Sequence, residues 1–269
     1  MHTFRSTKDV TVLNDHAEVP GLGFLAVNAF VVHATEPVVV DTGLSLPGVG
    51  FLDALASVID PADVRWIYLT HPDRDHTGGL FELLEAAPLA KVVTTFLSVG
   101  IMSTERPLPL DRLYLLNPGQ SLDVGDRTLT AFRPPLFDSP STTGFYDNRS
   151  GACISSDCFG APLPSAELAS AEDVAATPDD ALTAGQLLWA TVDSPWVHNI
   201  DPALFERTMA PLREFNPSAI FSTHLPPAVG RLDEFLDTAR RVPSTAPFVG
   251  PDQAALEHLL SQFEPEPAR

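Results

Sequence analysis

A short segment rich in metal-ligand side chains constrains the fold of this chain more than any other feature of its sequence. Residues 71–79 read His-Pro-Asp-Arg-Asp-His-Thr-Gly-Gly, and they follow the apolar run Trp-Ile-Tyr-Leu at residues 66–69. The β-branched and aromatic composition of that run predicts a short buried strand. A rigid strand end is a place from which a short loop can project several ligands towards one point. The sequence therefore predicts a metal site directly after this strand.

The spacing of four side chains in the segment predicts two metal ions rather than one. Two imidazoles and two carboxylates, those of His71, Asp73, Asp75 and His76, lie within six residues. Neighbouring side chains diverge in a tight turn, so we do not expect Asp75 and His76 to share one ion with the other two residues. The economical arrangement gives the first two residues to one ion and the last two to the other.

Two later strand ends carry the remaining candidate ligands. Asp157 follows a predicted strand at residues 151–155 and suits the role of a carboxylate that bridges two ions. His224 follows a predicted strand at residues 219–222 and would supply a further nitrogen ligand. A single His or Asp at a strand end is more often a cap or a turn former. Four such residues within six positions, with two more at later strand ends, favour metal binding over that interpretation.

Strands and helices alternate along the chain, which predicts one layered α/β domain over residues 1–269. The predicted strands cover residues 24–32, 37–40, 66–69, 91–93, 120–122, 128–132, 151–155 and 219–222, and the predicted helices cover residues 51–59, 80–87, 202–215, 232–241 and 252–263. The sequence has no internal repeat and no convincing linker. Its hydrophobic fraction of 44% is sufficient for a sizeable core.

Charge and cysteine content narrow the partners and the location that we expect. The net charge of −19 argues against nucleic-acid binding, which depends on clustered Lys and Arg. No apolar run reaches the roughly 18 residues of a membrane span, and the N-terminus lacks the apolar core of a signal peptide. Cys153 and Cys158 would lie about 16 Å apart on an extended strand, too far for a disulfide. We therefore expect free thiols and a cytoplasmic protein.

Residues 150–206 contain nine acidic residues and no Lys or Arg. We interpret the Ala- and acid-rich part, roughly residues 162–185, as a solvated surface loop or helix. A mobile acidic lid over the metal site is the alternative interpretation.

With these residues in view, the sequence resembles the metallo-β-lactamase superfamily, whose loop motif is His-x-His-x-Asp-His. The resemblance extends from about residue 24 to His224 and includes Asp41-Thr42-Gly43. The present loop has Asp73 where hydrolases of the superfamily carry the second His, which is similar to the flavodiiron and oxygen-binding di-iron branch with its His-x-Glu-x-Asp-His. Residues 155–160, Ser-Ser-Asp-Cys-Phe-Gly, are similar to the Ser-x-Asp-x-Phe-Gly around the bridging Asp of that branch. The resemblance implies a four-layer αββα sandwich.

The sequence departs from this branch where its third histidine ligand should lie. There is no histidine between His76 and His198. In the corresponding segment, residues 134–142, Asp138 could replace the imidazole with an oxygen ligand. An open coordination position, or a site that holds only one ion firmly, is the alternative.

Three further residues are candidates for the wall of the metal pocket. His198 follows the acidic stretch, with a surface or capping role as its alternative, while Tyr146 and Trp196 would more ordinarily be core aromatics. Asp41 resembles a buried strand-end aspartate of the superfamily, and we expect it to support the metal-binding loop rather than a metal.

The first functional hypothesis is a non-haem di-iron oxidoreductase that binds or reduces O2 or NO. Exchange of imidazole for carboxylate hardens the site and favours iron or manganese over zinc. Only 45 of the 269 residues follow His224, too few for a flavodoxin domain, and we find no flavin site, so we expect an external electron donor. The resemblance also implies a homodimer.

Two alternatives remain open at this stage. One is a metal-dependent hydrolase of an ester, lactone or phosphodiester, in which the metal ions would activate water. The other is a metal-poor sensor or binding module that has kept the fold, which the missing third histidine would explain.

Overall fold

Two mixed β-sheets form the centre of the molecule in a computed structural model that describes residues 1–44 and 50–262. The first sheet consists of β1 (His2–Arg5), β2 (Val10–Val19), β3 (Gly23–Val32), β4 (Val38–Val40), β5 (Trp66–Tyr68), β6 (Lys91–Thr94) and β7 (Leu113–Leu115), in that spatial order. Strands β1 to β4 are antiparallel to their neighbours, whereas β4 to β7 run parallel.

The second sheet has the spatial order β13-β12-β11-β10-β9-β8. Its strands are β8 (Ser121–Asp123), β9 (Thr128–Phe132), β10 (Gly144–Asp147), β11 (Ala152–Ile154), β12 (Ala219–Phe221) and β13 (Ala228–Val229). Only the pair β11 and β12 is parallel within the described sheet. Strands β8 and β9 form a hairpin across the turn at residues 124–126.

Helices occur throughout the described ranges, and several of them cover the outer faces of the sheets. The helices are α1 (Phe51–Ala56), α2 (Arg74–Thr77), α3 (Leu80–Ala86), α4 (Phe96–Ser103), α5 (Ala166–Ala169), α6 (Asp179–Asp193), α7 (Pro202–Thr208), α8 (Ala210–Phe215), α9 (Leu232–Arg241) and α10 (Gln253–Gln262). None of the helices in the described ranges is long and apolar enough to cross a membrane.

Three apolar clusters hold the layers together. Between the sheets, Phe30 packs edge-on against Phe221 with ring centroids 5.7 Å apart, and Tyr68 packs against Phe145 at 4.8 Å. The other two clusters lie outside the sheets, where α1 and α3 cover the first and α6, α7 and α9 cover the second. This order of layers is the predicted four-layer αββα sandwich.

The structure corrects several sequence-based element boundaries. The single helix predicted at residues 202–215 is two helices, because Pro211 cannot donate a backbone hydrogen bond inside a helix. Strands β1, β2, β7, β10 and β13 and helices α2 and α4 were not predicted, and α6 extends beyond the stretch at residues 162–185 that was interpreted as a surface loop or helix. The last residue of the helix predicted at residues 252–263 lies outside the described residues.

The Ala- and acid-rich part at residues 162–185 packs against both sheets, since α5 contacts β2 and β3 of the first sheet and the start of α6 lies outside the second. It contains α5, a short 3-10 helix and the first half of α6. Ala169, Val174 and Leu182 are buried, and the last two belong to the apolar cluster outside the second sheet. Its acidic side chains therefore lie on a segment that has an apolar inner face.

Candidate metal centre

The predicted metal-ligating side chains meet where strands from both sheets end. His71 and Asp73 follow β5, and Asp75 and His76 lie on the single-turn helix α2. Asp157 and His224 follow the neighbouring parallel strands β11 and β12 of the other sheet. Ligands commonly bind outside the carboxyl ends of parallel strands, and here two such edges face one another.

Asp157 occupies the middle of the cluster. Its Oδ2 atom lies 3.4 Å from His71 Nε2, while Oδ1 lies 3.2 Å from His76 Nε2 and 3.4 Å from His224 Nε2. The hydroxyl of Thr223 donates a hydrogen bond of 2.6 Å to Oδ1. The two oxygens of this carboxylate thus face different imidazoles, which is the arrangement that a bridging ligand requires.

The remaining donors divide into two groups on either side of Asp157. We call the group of His71, Asp73 and Asp138 position A, and the group of Asp75, His76 and His224 position B. In each group one ligand atom per residue lies within 4.8 Å of the others.

Short contacts connect the members of these groups. In position B, Asp75 Oδ2 lies 3.3 Å from His224 Nε2 and 3.6 Å from His76 Nε2. In position A, Asp138 Oδ2 lies 3.6 Å from His71 Nε2. The structure therefore brings Asp138 beside His71. The division matches the predicted partition of the loop, and metal ligation by these residues stays a prediction.

Two buried imidazole nitrogens of this cluster have no hydrogen-bond partner among the described residues. They show whether the cluster fits a metal. They are Nε2 of His71 and Nε2 of His76, in side chains that are 1% exposed. Buried polar atoms are nearly always satisfied in native structures, and one left unpaired costs about 1–3 kcal/mol. Both atoms point at carboxylates that a cation would join. The residues present therefore fit two divalent ions.

The other ring nitrogen of each imidazole is held by the fold. His224 Nδ1 donates to the carbonyl of Ala26 at 2.8 Å, and His76 Nδ1 donates to Asp41 Oδ2 at 3.0 Å. A carbonyl and a carboxylate only accept hydrogen bonds, so each neutral ring carries its proton on Nδ1. The lone pair of Nε2 is then available to bind a metal. Partners of this kind orient metal-binding histidines.

Asp41 supports the loop as the sequence predicts. The residue is fully buried at the end of β4, with a positive φ of 52° that Asp tolerates better than most residues. Its carboxylate accepts hydrogen bonds from Thr70 N and Thr70 Oγ1, both at 2.8 Å, and from His76 Nδ1. One carboxylate thus fixes the strand end before the loop and one of the imidazoles in it.

A tight turn carries Asp157 into the cluster. Ser156 and Phe159 have φ angles of 54° and 71°, a region that residues with a side chain rarely occupy. Gly160 follows, where an added Cβ would lie 2.8 Å from His224 Cβ and 2.9 Å from Trp189 Cδ1. The glycine therefore permits the close packing of this turn against His224.

Mutual electrostatics shift the pKa values of the cluster strongly. Burial opposes the charging of His224, but the Asp157 and Asp75 carboxylates outweigh it and raise its pKa to about 9. Burial likewise opposes protonation of His76, whose pKa the same carboxylates and Asp41 raise well above its ordinary value. Burial would raise the pKa of Asp157, yet the three imidazoles hold it well below its ordinary value. A metal ion must therefore displace protons from these imidazoles.

Sequence reasoning missed Asp193, the last residue of α6. One of its carboxylate oxygens lies within 4.8 Å of oxygens of Asp138 and Asp157. Burial, together with those two carboxylates, raises its pKa to about 8. Two signals could have identified it. It is the only acidic residue between residues 181 and 200, and it stands at a helix C-terminus, where the helix dipole disfavours negative charge.

The three predicted pocket residues have contacts of other kinds. Trp196 stacks on Phe137 and donates from Nε1 to the Phe137 carbonyl at 2.7 Å, so it packs next to Asp138. The ring of Tyr146 is stacked on Phe215, under α8. His198 has a buried Nε2 without a hydrogen-bond partner, but it is in none of the metal-ligand groups found among the described residues. A role for these residues in the pocket stays a prediction.

Comparison with known proteins shows which families and structures this chain resembles. Residues 22–151 match the family model of the metallo-beta-lactamase superfamily. The predicted resemblance to the metallo-β-lactamase superfamily, and within it to the flavodiiron branch, is confirmed by this match and by the relatives and structural neighbours of the chain.

Two curated relatives illustrate this similarity. An anaerobic nitric oxide reductase flavorubredoxin of Salmonella typhi is 26% identical over 134 residues, which are 49% of this chain and 28% of that protein. A rubredoxin-oxygen oxidoreductase of Megalodesulfovibrio gigas is 26% identical over 140 residues, which are 52% of this chain and 35% of that protein. The matched region thus spans about a third of the length of these curated relatives.

Solved structures establish the fold over a longer stretch. Rubredoxin oxygen:oxidoreductase of Desulfovibrio gigas superimposes with a TM-score of 0.72 at 19% identity, covering 90% of this chain and 61% of that one. A fragment of a putative diflavin flavoprotein of Nostoc superimposes with a TM-score of 0.70 at 15% identity, covering 96% and 98% of the two chains.

Proposed function

We propose that the protein is a non-haem di-iron oxidoreductase that reduces O2 or NO with electrons from a separate donor. The observation that carries the proposal is the donor set at position A, where Asp73 and Asp138 stand beside the unpartnered Nε2 of His71. Carboxylates favour hard ions such as iron and manganese, whereas zinc hydrolases rely more on imidazole. The activities for which the relatives are named, nitric oxide reduction and oxygen reduction, support the same class of chemistry.

The residues of the cluster would divide the work of holding the metals. His71, Asp73 and Asp138 would hold one iron, Asp75, His76 and His224 the other, and Asp157 would bridge them. Once bound, an iron pair would supply redox-active centres that can pass electrons to a diatomic ligand.

The carboxylates of both positions reach solvent, whereas the imidazoles are buried. His71, His76 and His224 are at most 2% exposed, while the side chains of Asp75 and Asp138 are 30% and 25% exposed. A small ligand would therefore approach from the side of the carboxylates. The Nδ1 partners of His76 and His224 hold those two rings in place while a ligand binds.

Several expectations about the wider protein remain proposals. They are one domain over residues 1–269, a cytoplasmic location and a homodimer. Two observations bear on them: Cys153 and Cys158 are buried free thiols, and the matched relatives are considerably longer than the region they share with this chain.

Turnover by the iron-loaded protein tests the proposal. The metal-free protein is loaded anaerobically with Fe2+, supplied with a chemically reduced flavin as electron donor, and assayed for consumption of NO and of O2 with electrodes. We expect consumption by the wild type and at least tenfold less by Asp73→His, which softens position A. The exposed Asp63→Asn is the matched control, because its side chain lies on a 3-10 helix that precedes β5.

Two results would contradict this function. One is the absence of NO and O2 consumption by a preparation that holds two irons per chain. The other is hydrolysis of ester, lactone or phosphodiester substrates by the zinc-loaded protein together with no reductase activity, which would restore the hydrolase alternative.

A further inference from the structure

The helix α6 brings two side chains of one face against the candidate metal centre. Trp189 and Asp193 are four residues apart and therefore lie on the same side of the helix. The Trp189 ring lies edge-on to the His224 ring, with centroids 5.4 Å apart. Asp193 reaches the other end of the centre, beside Asp138 and Asp157. The helix thus spans both metal positions.

Close contacts fix α6 to the turn that carries Asp157. Gln186 Nε2 donates to the carbonyl of Phe159 at 3.2 Å. Gly185 lies so near the chain at Ala161 and Pro162 that an added Cβ would be 2.7 Å from the Pro162 carbonyl oxygen. The position of Asp193 is therefore set by the packing of the helix, and its carboxylate does not have to be recruited from a mobile segment.

The charge of the three clustered carboxylates has no counterpart in a basic side chain. Among the described residues, Asp138 and Asp157 form ion pairs only with histidines, and Asp193 has none. The hydrogen bond to Asp193 from Ser194 Oγ is long, at 3.4 Å. The buried and unpartnered Nε2 of His71 lies 3.6 Å from Asp138 Oδ2 and 3.4 Å from Asp157 Oδ2. A cation beside this nitrogen would supply the positive charge that the three carboxylates lack.

We propose that Asp193 is a ligand of the metal at position A, where Asp138 and Asp193 together take over from a missing imidazole and select a harder ion than position B does. This inference rests on the metal centre of the proposed function. Position A would then have one nitrogen donor and the carboxylates of Asp73, Asp138, Asp157 and Asp193. Position B has two nitrogen donors, His76 and His224, with the carboxylates of Asp75 and Asp157.

The consequence is a centre with two unlike positions. Oxygen ligands suit Mn2+ and Fe2+, whereas imidazole suits Zn2+ as well as iron. Offered Mn2+ and Zn2+ together, the protein should place Mn2+ at position A and Zn2+ at position B. Offered iron alone, it should fill both.

Metal uptake by the full chain tests the assignment of Asp193 without any assay of turnover. Metal-free protein is titrated with Mn2+ in the presence of one equivalent of Zn2+. Free Mn2+ is followed by EPR, and bound metals are measured by elemental analysis. We expect one Mn2+ and one Zn2+ per chain for the wild type. In Asp193→Asn the Mn2+ affinity should fall at least tenfold while Zn2+ uptake is unchanged.

The exposed Asp180→Asn is the matched control on the same helix, since its side chain contacts only the neighbouring amide of Ala181, and it should bind both ions as the wild type does. A Mn2+ affinity of Asp193→Asn within twofold of the wild type would overturn the proposal, and so would a wild type that binds no Mn2+. If Asp193→Asn does not fold, as lost Zn2+ uptake would reveal, Asp193→Glu decides by its bound Mn2+ EPR spectrum. An altered spectrum supports ligation and an unaltered one refutes it.

The same preparations separate this inference from the proposed function. Intact metal uptake with the expected loss in Asp193→Asn, but without NO or O2 consumption, would refute the function and leave the ligand assignment in place. Turnover with a Mn2+ affinity that does not depend on Asp193 would support the function and refute the ligand assignment.

Discussion

At the scale of single residues, the imidazoles of the candidate centre are oriented by the fold before any metal is considered. His76 and His224 donate from Nδ1 to Asp41 and to the Ala26 carbonyl, and Ser156 Oγ lies 3.2 Å from His71 Nδ1. Each contact directs Nε2 of its ring towards Asp157. Little reorganisation is then needed on metal binding, which lowers the entropic cost of forming the centre.

The substitution Asp41→Asn tests this orientation. Asn suits the positive φ of the position, so the backbone is not strained, but it offers His76 Nδ1 a weaker and ambiguous partner. We expect the affinity of position B for Zn2+ to fall about 10–100-fold, as measured by competition with a chromophoric chelator. Asp63→Asn is the control. An unchanged affinity would show that Asp41 does not orient His76.

Gly160→Ala tests the close packing behind His224. The new methyl group would meet His224 Cβ, Trp189 Cδ1 and the Asp157 carbonyl, all within 2.9 Å. Overpacking of this kind costs about 1–3 kcal/mol of unfolding free energy, measurable by urea denaturation. Gly100→Ala in α4 is the opposite control, because its Cβ meets nothing within 4 Å and Ala favours helix by about 0.5–1 kcal/mol. Equal stability of the two variants would contradict this account.

Sequence reasoning identified most residues of the candidate site but not all of them. The candidate ligands at strand ends were predictable, because an apolar run followed by His or Asp marks a strand terminus. Asp138 was predicted without its contacts, since the loop before β10 has no pattern that fixes its path. Asp193 was missed because only the tertiary packing of α6 brings it to residues that are distant in the sequence.

At the scale of structural elements, a buried ion-pair network joins the two sheets away from the metal centre. Arg127, at the start of β9, contacts Asp9 before β2 at 3.1 Å and Asp147 at the end of β10 at 3.0 Å. It also donates to the His33 carbonyl, just after β3, at 3.1 Å. One guanidinium therefore connects elements of both sheets, because its several N–H groups can donate to different acceptors.

Arg127→Met should remove this connection and leave Asp147, which is fully buried, without its cation. The loss of one partner from a buried pair costs about 3–5 kcal/mol. Arg149→Met is the control, because that side chain is 50% exposed and its pair with Asp126 should contribute about 0–1 kcal/mol. Urea denaturation measures both. A cost below 1 kcal/mol for Arg127→Met would show that the network does not join the sheets.

The elements that the sequence predicted are those with continuous apolar character. Strands β3, β5, β11 and β12 are runs of this kind, and all lie in the layers around the core. Strand β2 was missed because its second half, including Asn14, Asp15 and His16, lacks an apolar alternation. Helix α6 was hidden in an Ala- and acid-rich composition that resembles a surface loop, and its inner face was recognisable only from the surface that it covers.

At the scale of the whole molecule, the protonation of the centre links its charge to stability. The pKa of His224 in the folded protein is about 9, above the value of about 6.5 for the unfolded chain. This difference in pKa stabilises the metal-free fold. The stabilisation is complete below pH 6.5 and is lost as the pH rises through 9. The raised pKa of Asp193, about 8, acts in the same direction over this range, because the folded state favours its protonated form.

The metal-free protein should therefore have a lower Tm at pH 9 than at pH 6.5. The increase in Tm that bound metal produces should be larger at pH 9 than at pH 6.5, since metals bind the unprotonated imidazoles. Differential scanning calorimetry in chelator and in excess Zn2+ measures both curves. A Tm of the metal-free protein that rises over this range would contradict the pKa assignments.

Mössbauer spectroscopy of protein loaded with isotopically enriched iron tests whether Asp157 joins two irons in one centre. We expect two irons per chain that are antiferromagnetically coupled when oxidised, and we expect the coupling to be lost in Asp157→Asn. One iron per chain, or two irons that are magnetically independent in the wild type, would contradict this expectation.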